Sequence, residues 1–349
     1  MIEHCREQLQ GLTESNSFDH PGLGLNRYLR TLSGADNKDE KQWVTRLLTA
    51  AAASTANSAY SVAFRRWAEI VKADPARRFW FEGALAGPLA IGLGGASAME
   101  IGLTVHHTYG MPVIPGSALK GLARRAAQIL INEKALTNDE FTSLFGDTKT
   151  ASYFVFHDAW YAPGSEKERP FKRDVITVHH PKYYQRRGKD AWPTDFDDPT
   201  PNAFLVVKPA MRFLFTMDAP SPGWGNFACN LLRWGLENLG AGAKTNAGYG
   251  YFDGDKWYVP PPPPVVQVWP QCTLTKRIDQ GAVEVTIRTA DGVATTLNQS
   301  KWRPLELTLP KETKERFTNK RPITADVTVR ITGDSLQVIA IKAVGEASA

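Results

Sequence analysis

The sequence predicts an α+β protein, with a helical N-terminal segment, a central sandwich of strands and helices, and a small C-terminal β domain. Three observations carry this. First, QWVTRLLTAAAASTANSAYSVAFRRWAEIVK is rich in alanine, with bulky apolar residues at helical spacing. Second, strand-like and helix-like segments succeed one another between residues 84 and 258. Third, a proline run, VPPPPPVV, separates them from a region where apolar and polar residues alternate.

In order, residues 1–83 are expected to be helical. ALAGPLAIGLG (Ala84 to Gly94) reads as a short strand ending in glycines. In MPVIPGSALKGLARRAAQILINEK, Pro115 and Gly116 punctuate, Ser117 is the expected N-cap, and a helix runs to about Asn132. Its apolar face is Leu119, Leu122, Ala123, Ala126, Ile129 and Leu130, and Lys120 and Arg124, four apart, share another side. SYFVFHDAWYA (Ser152 to Ala162) is strand-like by its aromatic and β-branched content. A polar excursion over residues 163–202 follows, then AFLVVKPAMRFLFTMD as strand material broken near Pro209. FACNLLRWGLENLG is an amphipathic helix, GAGAKTNAGYG a glycine-rich stretch, and YGYFDG a last strand.

That succession over residues 84–258 predicts a ferredoxin-like sandwich, the topology of RNA-recognition motifs. Residues 259–266 are a stiff spacer. Residues 267–349, with turn signals Asp291-Gly292 and Gly333-Asp334, are expected to form a small all-β domain, a barrel being one form open to it.

At 349 residues the chain is long enough for two or more domains. A net charge of +5 and a pI near 9.0 permit polyanion binding without requiring it. Cys5, Cys229 and Cys272 lack C-x-x-C spacing, which argues against a zinc site or a disulfide framework. No apolar run approaches a bilayer span, and MIEHCREQLQ lacks a signal-peptide layout, so a cytoplasmic protein without membrane contact is expected. No metal or cofactor is expected.

GAGAKTNAGYG (Gly240 to Gly250) looks at first like a nucleotide phosphate loop. The P-loop pattern G-x-x-x-x-G-K-[ST] would place its glycines at Asn238 and Ala243, so both are missing, and the stretch follows a helix where a P-loop precedes one. GLGGAS (Gly92 to Ser97) lacks the third glycine of a dinucleotide fingerprint. A different use remains open. Gly242, Gly248 and Gly250 would let backbone approach a sugar-phosphate chain closely, with Lys244 adding charge. The plain alternative is a glycine helix cap running into a strand.

Four pieces occur in series: GLTVHHTYGMPVIPGSALKGLARR, LFGD, RDVITVHHPKYY and LGAGAKTNAGYGYF. Together they resemble the RAMP superfamily of CRISPR-associated proteins, most closely the subunit-six family of the type III-B Cmr effector complex, over residues 20–253. The resemblance implies a non-catalytic RNA-binding subunit near one end of a filament of related subunits. Its implied partners are guide crRNA, target RNA, other RAMP subunits and the small helical subunit of the complex. RNA contacts are then expected from Ser117, Lys120 and Arg124, and from Gly242, Lys244, Thr245, Gly248 and Tyr249. The excursion matches the place of an inserted thumb, where His179, Lys182, Tyr183, Arg186 and Arg187 would meet bases and phosphates, or a neighbouring subunit.

The pairs His106-His107 and His179-His180 raise one alternative, a metal-independent endoribonuclease using histidine as general acid or base. Adjacent histidines on a strand face opposite ways, so each pair offers one side chain to a shared site. Structural or RNA-contacting histidines are the preferred expectation. Asp147 and Asp174 are expected to cap loops or orient basic neighbours.

Overall fold

The computed structural model describes residues 15–28, 38–95, 97, 101–190, 192–260, 265–279, 282–319, 321–332 and 335–344. Cys5, most of the proline run and the Gly333-Asp334 turn lie outside the described residues. The chain divides into two compact units, Met1–Val259 and Pro260–Ala349.

The first unit opens with α1 (Pro21–Arg27), α2 (Lys38–Ala52) and α3 (Ser58–Ala73). Helix is not the whole story before residue 83. RFWFEGA forms β1 (Arg78–Ala84), whose aromatics pair with a partner strand that local propensity does not reveal. There follow β2 (Val113–Ile114), α4 (Gly116–Asn132), α5 (Asn138–Phe145), β3 (Val155–Phe156), β4 (Ala159–Ala162), β5 (Phe171–Val178), α6 (Pro181–Gln185), β6 (Thr200–Val207), β7 (Arg212–Asp218) and α7 (Pro222–Asn238).

The sheet has the order β1-β7-β4-β2, with β3 also pairing with β7, and these pairings are antiparallel. Two single bridges, Leu85 to Phe252 and Glu82 to Tyr258, touch the outer side of β1. YGYFDG is therefore not a strand. Gly250 in the left-handed region (φ 78°) and a 3-10 turn at Gly254–Lys256 interrupt the ladder.

The core lies between this sheet and helices α4 and α7. Phe81 and Phe215, opposite each other in the register, stack at 4.8 Å and are fully buried. Burial of each such ring is worth about 2–3 kcal/mol. Phe252 and Trp257 stack on each other and meet Phe215 and Phe81 edge-on. Helix α7 crosses close to β1 because Gly225 has no side chain, and a Cβ there would meet the Phe79 ring at 2.2 Å. Helix α4 packs on α7 with Leu122 and Ala126 against Gly235.

The excursion between residues 163 and 202 is not a bare loop. It is the antiparallel hairpin β5–β6, paired from Phe171↔Val207 to Val178↔Thr200, with α6 and further turns beyond it.

The second unit contains β8 (Val265–Asp279), β9 (Ala282–Arg288), β10 (Ala294–Asn298), α8 (Gln299–Glu306), α9 (Lys311–Thr318), β11 (Ile323–Thr332) and β12 (Ser335–Ala343). Its antiparallel sheet, order β10-β9-β8-β11-β12, ends in two edges and does not close into a barrel among the described residues. Nor is the unit all-β. The segments QSKWRPLE and KETKERFT are helices whose charges hide two anchors, Trp302 and Phe317, buried against one face of the sheet.

Candidate nucleic-acid interface

Left-handed backbone shapes the glycine-rich segment. Gly240, Gly242, Gly248 and Gly250 have φ between 73° and 83°, and Lys244 joins them at 62°. Such values are natural for glycine and cost other residues about 1–2 kcal/mol. Two glycines are also sterically required. A Cβ at Gly242 would lie 2.4 Å from the Ala90 carbonyl, and one at Gly250 would lie 1.9 Å from the Ala241 carbonyl. Gly248 has open space, so only its backbone angle calls for glycine.

The segment lies flat on residues 85–91. Ala243 N–H donates to the Ala90 carbonyl at 2.8 Å, and Gly250 N–H donates to the Pro88 carbonyl at 2.7 Å. Between these anchors, Thr245–Ala247 form one 3-10 turn bounded by Lys244 and Gly248. Among the described residues, no acceptor meets the N–H groups of Lys244, Thr245 or Asn246, and Lys244 has no ion-pair partner. Consecutive unpaired N–H groups beside a lysine can receive anionic oxygens.

Tyr249 turns the other way. Its hydroxyl donates to Asp174 Oδ2 on β5 at 2.9 Å, and its ring packs in a small cluster with Ala90, Phe204 and Val206. Burial first, then the bond to Asp174, pushes the Tyr249 hydroxyl pKa up. Asp174 thus orients a tyrosine rather than a basic neighbour. Asp147 caps a loop, accepting from Lys149 N–H at 2.8 Å and Thr150 N–H at 2.6 Å.

At α4 the expected cap is displaced. Pro115 is the N-cap and Ser117 sits exposed inside the first turn. The Asp158 carboxylate accepts from Gly116 N–H at 2.7 Å, so a side chain already occupies this helix end. A phosphate there would meet a like charge. Lys120 is half-buried and Arg124 is exposed, its guanidinium 5.1 Å from the centre of the Phe141 ring. Among the described residues, no hydrogen bond or ion pair joins these cations to the glycine-rich segment. Their link is through α7, where Gly235, five residues before Gly240, packs on Leu122.

On the hairpin, His179, Lys182, Arg186 and Arg187 are exposed and Tyr183 is half-buried, in T-shaped contact with Tyr184. His180 Nδ1 pairs with Asp197 Oδ2 at 2.8 Å, which holds the Asp197 carboxyl below its usual range. Residue-type reasoning passed over Trp192 and Phe196, which are 79% and 95% exposed. Their signal is an aromatic placed among prolines and acids in AWPTDFDDP, where no apolar periodicity calls for one.

The histidines are spread apart in role. His106 packs against Tyr109 and Trp160 at 4.8 and 4.6 Å, and burial lowers its pKa. The His107 carbonyl pairs with His20 Nε2 at 2.8 Å. Among the described residues, no three His, Cys, Asp or Glu side chains gather to hold a metal ion. No described helix is long and apolar enough to cross a membrane.

Residues 85–253, which include the whole glycine-rich segment, match the RAMP superfamily. The chain is similar to the CRISPR system Cmr subunit Cmr6 of Pyrococcus furiosus, with 27% identity over 216 residues, 46% of this chain. The match spans 64% of that relative, just under two thirds of its length. Among solved structures, a chain of the type III-B Cmr-β complex bound to cognate target RNA aligns with 66% of this chain and 79% of its own. The identity there is 20% and the TM-score 0.48. The crystal structure of Cmr6 from Pyrococcus furiosus aligns with 54% of this chain and 99% of its own, at 24% identity and TM-score 0.36.

Proposed function

We propose that this chain is a non-catalytic, RNA-binding subunit of a type III-B CRISPR effector complex, holding guide RNA and its duplex with target RNA near one end of a subunit filament. The observation that carries the reading is the glycine-rich segment. Its unpaired N–H groups and unpaired Lys244 form a surface suited to phosphates, within the residues that match the RAMP superfamily. Such contacts grip a strand without reading its sequence, leaving the bases free to pair.

The sheet order supports a ferredoxin-like frame. In this reading β1, β4 and β7 are the first three strands, and the bridges at Phe252 and Tyr258 stand where the fourth would lie. The hairpin then acts as the inserted thumb. Tyr183, Tyr184, Trp192 and Phe196 offer rings for stacking, while Lys182, Arg186 and Arg187 offer charge.

Co-purification from the native cell tests the proposal. A short RNA of uniform length and several RAMP polypeptides should accompany the tagged protein. A protein that comes alone and binds no RNA at low salt would contradict it.

A further inference from the structure

The second unit has a sheet face that its helices leave bare. On the covered face lie Cys272, Leu274, Val285, Ile287, Ala325, Val327 and Val329. The alternate residues point the other way. Register places Thr296, Thr286 and Thr275 in one row across β10, β9 and β8, and Thr273 opposite Thr324 in another. Thr328 follows on β11.

Four cations share that face: Arg277, Arg288, Arg330 and Lys342, all exposed. None has a hydrogen-bond or ion-pair partner within 4 Å among the described residues. Among the described side chains, two carboxylates share it as well. Glu284 stands opposite Arg277, and Asp326, opposite Lys342, accepts from Gln271 N–H at 2.9 Å. The net balance is positive. Among the described residues no aromatic lies on the face, and its larger apolar groups are Val266 and Val268 at one end.

We propose that this open face is a second RNA contact, taking the sugar-phosphate backbone of a strand. The inference rests on the RNA-binding reading of the first unit. Arginine, lysine and threonine are the side chains that meet phosphate and sugar oxygens. Base stacking would ask for aromatic rings, and a protein partner would ask for an apolar or aromatic centre. The face has neither, and its charge complements a polyanion.

The test uses the full chain and a homopolymeric single-stranded RNA, with affinity measured across a salt series. A variant with Arg277, Arg288, Arg330 and Lys342 changed to Glu should lose about 2–3 units of log–log salt slope, at about 0.7 per phosphate contact. A Gln version of the same four guards against misfolding and should lose slope in the same direction. Thr275→Lys with Thr286→Lys should instead tighten binding. A Lys244→Glu/Arg186→Glu/Arg187→Glu variant runs in parallel. If that variant loses affinity while both four-site variants keep the wild-type slope, the open face is not an RNA contact, though the first unit's role stands. Wild-type slope with loss of a protein subunit from the complex would assign the face to protein docking and overturn the inference. Absence of RNA binding by the wild-type chain at low salt would overturn both readings.

Discussion

The Tyr249 hydroxyl donates to Asp174 Oδ2 at 2.9 Å, tying the glycine-rich segment to the root of the inserted hairpin. The glycine-rich segment and the hairpin are thereby held in one local arrangement. Tyr249→Phe removes the bond and keeps the ring, at a cost of about 1 kcal/mol. The expected outcome is faster amide hydrogen exchange in β5 and β6, with little change in β1 and β7. Uniform change across both pairs would show that the bond has no local role.

Lys244 combines a charge with a left-handed backbone, and two substitutions separate them. Lys244→Asn accepts φ near 62° at lower strain and removes the charge. Stability by urea titration should hold or rise by a few tenths of a kcal/mol, while RNA affinity falls. Lys244→Arg should keep most of the affinity. Equal affinity for the Asn variant and wild type would exclude Lys244 from the contact.

The glycines should differ in sensitivity. Gly250→Ala combines a left-handed backbone with a Cβ at 1.9 Å from the Ala241 carbonyl, and should cost about 3 kcal/mol or more. Gly248→Ala meets open space and should cost about 1–2 kcal/mol, the backbone penalty alone. Denaturant midpoints for the two variants measure the difference.

Acid stability should depend on Asp218. Burial alone would raise its pKa, but Arg78, whose Nε is 2.8 Å away, and His157, at 3.2 Å, outweigh that and hold it below the usual range. A carboxyl depressed in the folded state contributes stability above its unfolded pKa near 4, and loses that contribution as pH falls through the lower folded value. Asp218→Asn should therefore lower stability at neutral pH and flatten the pH dependence below about pH 4. A stability profile below pH 4 as steep as wild type would remove Asp218 from this role.

His106→Ala addresses the enzymatic alternative. Losing contact with Trp160 and Tyr109 should lower stability by about 1–2 kcal/mol. Metal-free incubation with repeat RNA should give no cleavage by wild type or variant. Clean cleavage abolished by this substitution or by His179→Ala would establish the ribonuclease reading.

Helix α4 was legible to its last residue because Pro115, Gly116 and a clean apolar face mark it locally. Its cap was not, since Asp158 arrives from the turn between β3 and β4 and only the folded chain brings it to Gly116. The same holds for β1, hidden behind a helical run until β7 pairs with it, and for Trp302 and Phe317, masked by charged neighbours. Lys244 and the glycines could be singled out by composition. The bond from Tyr249 to Asp174, across 75 residues of sequence, could not.

The most direct test is RNA affinity against salt for the variant carrying Lys120→Glu, Arg124→Glu and Lys244→Glu. An RNA track through these cations predicts weaker binding and a log–log slope smaller by about 2 units. Wild-type affinity and slope would contradict it.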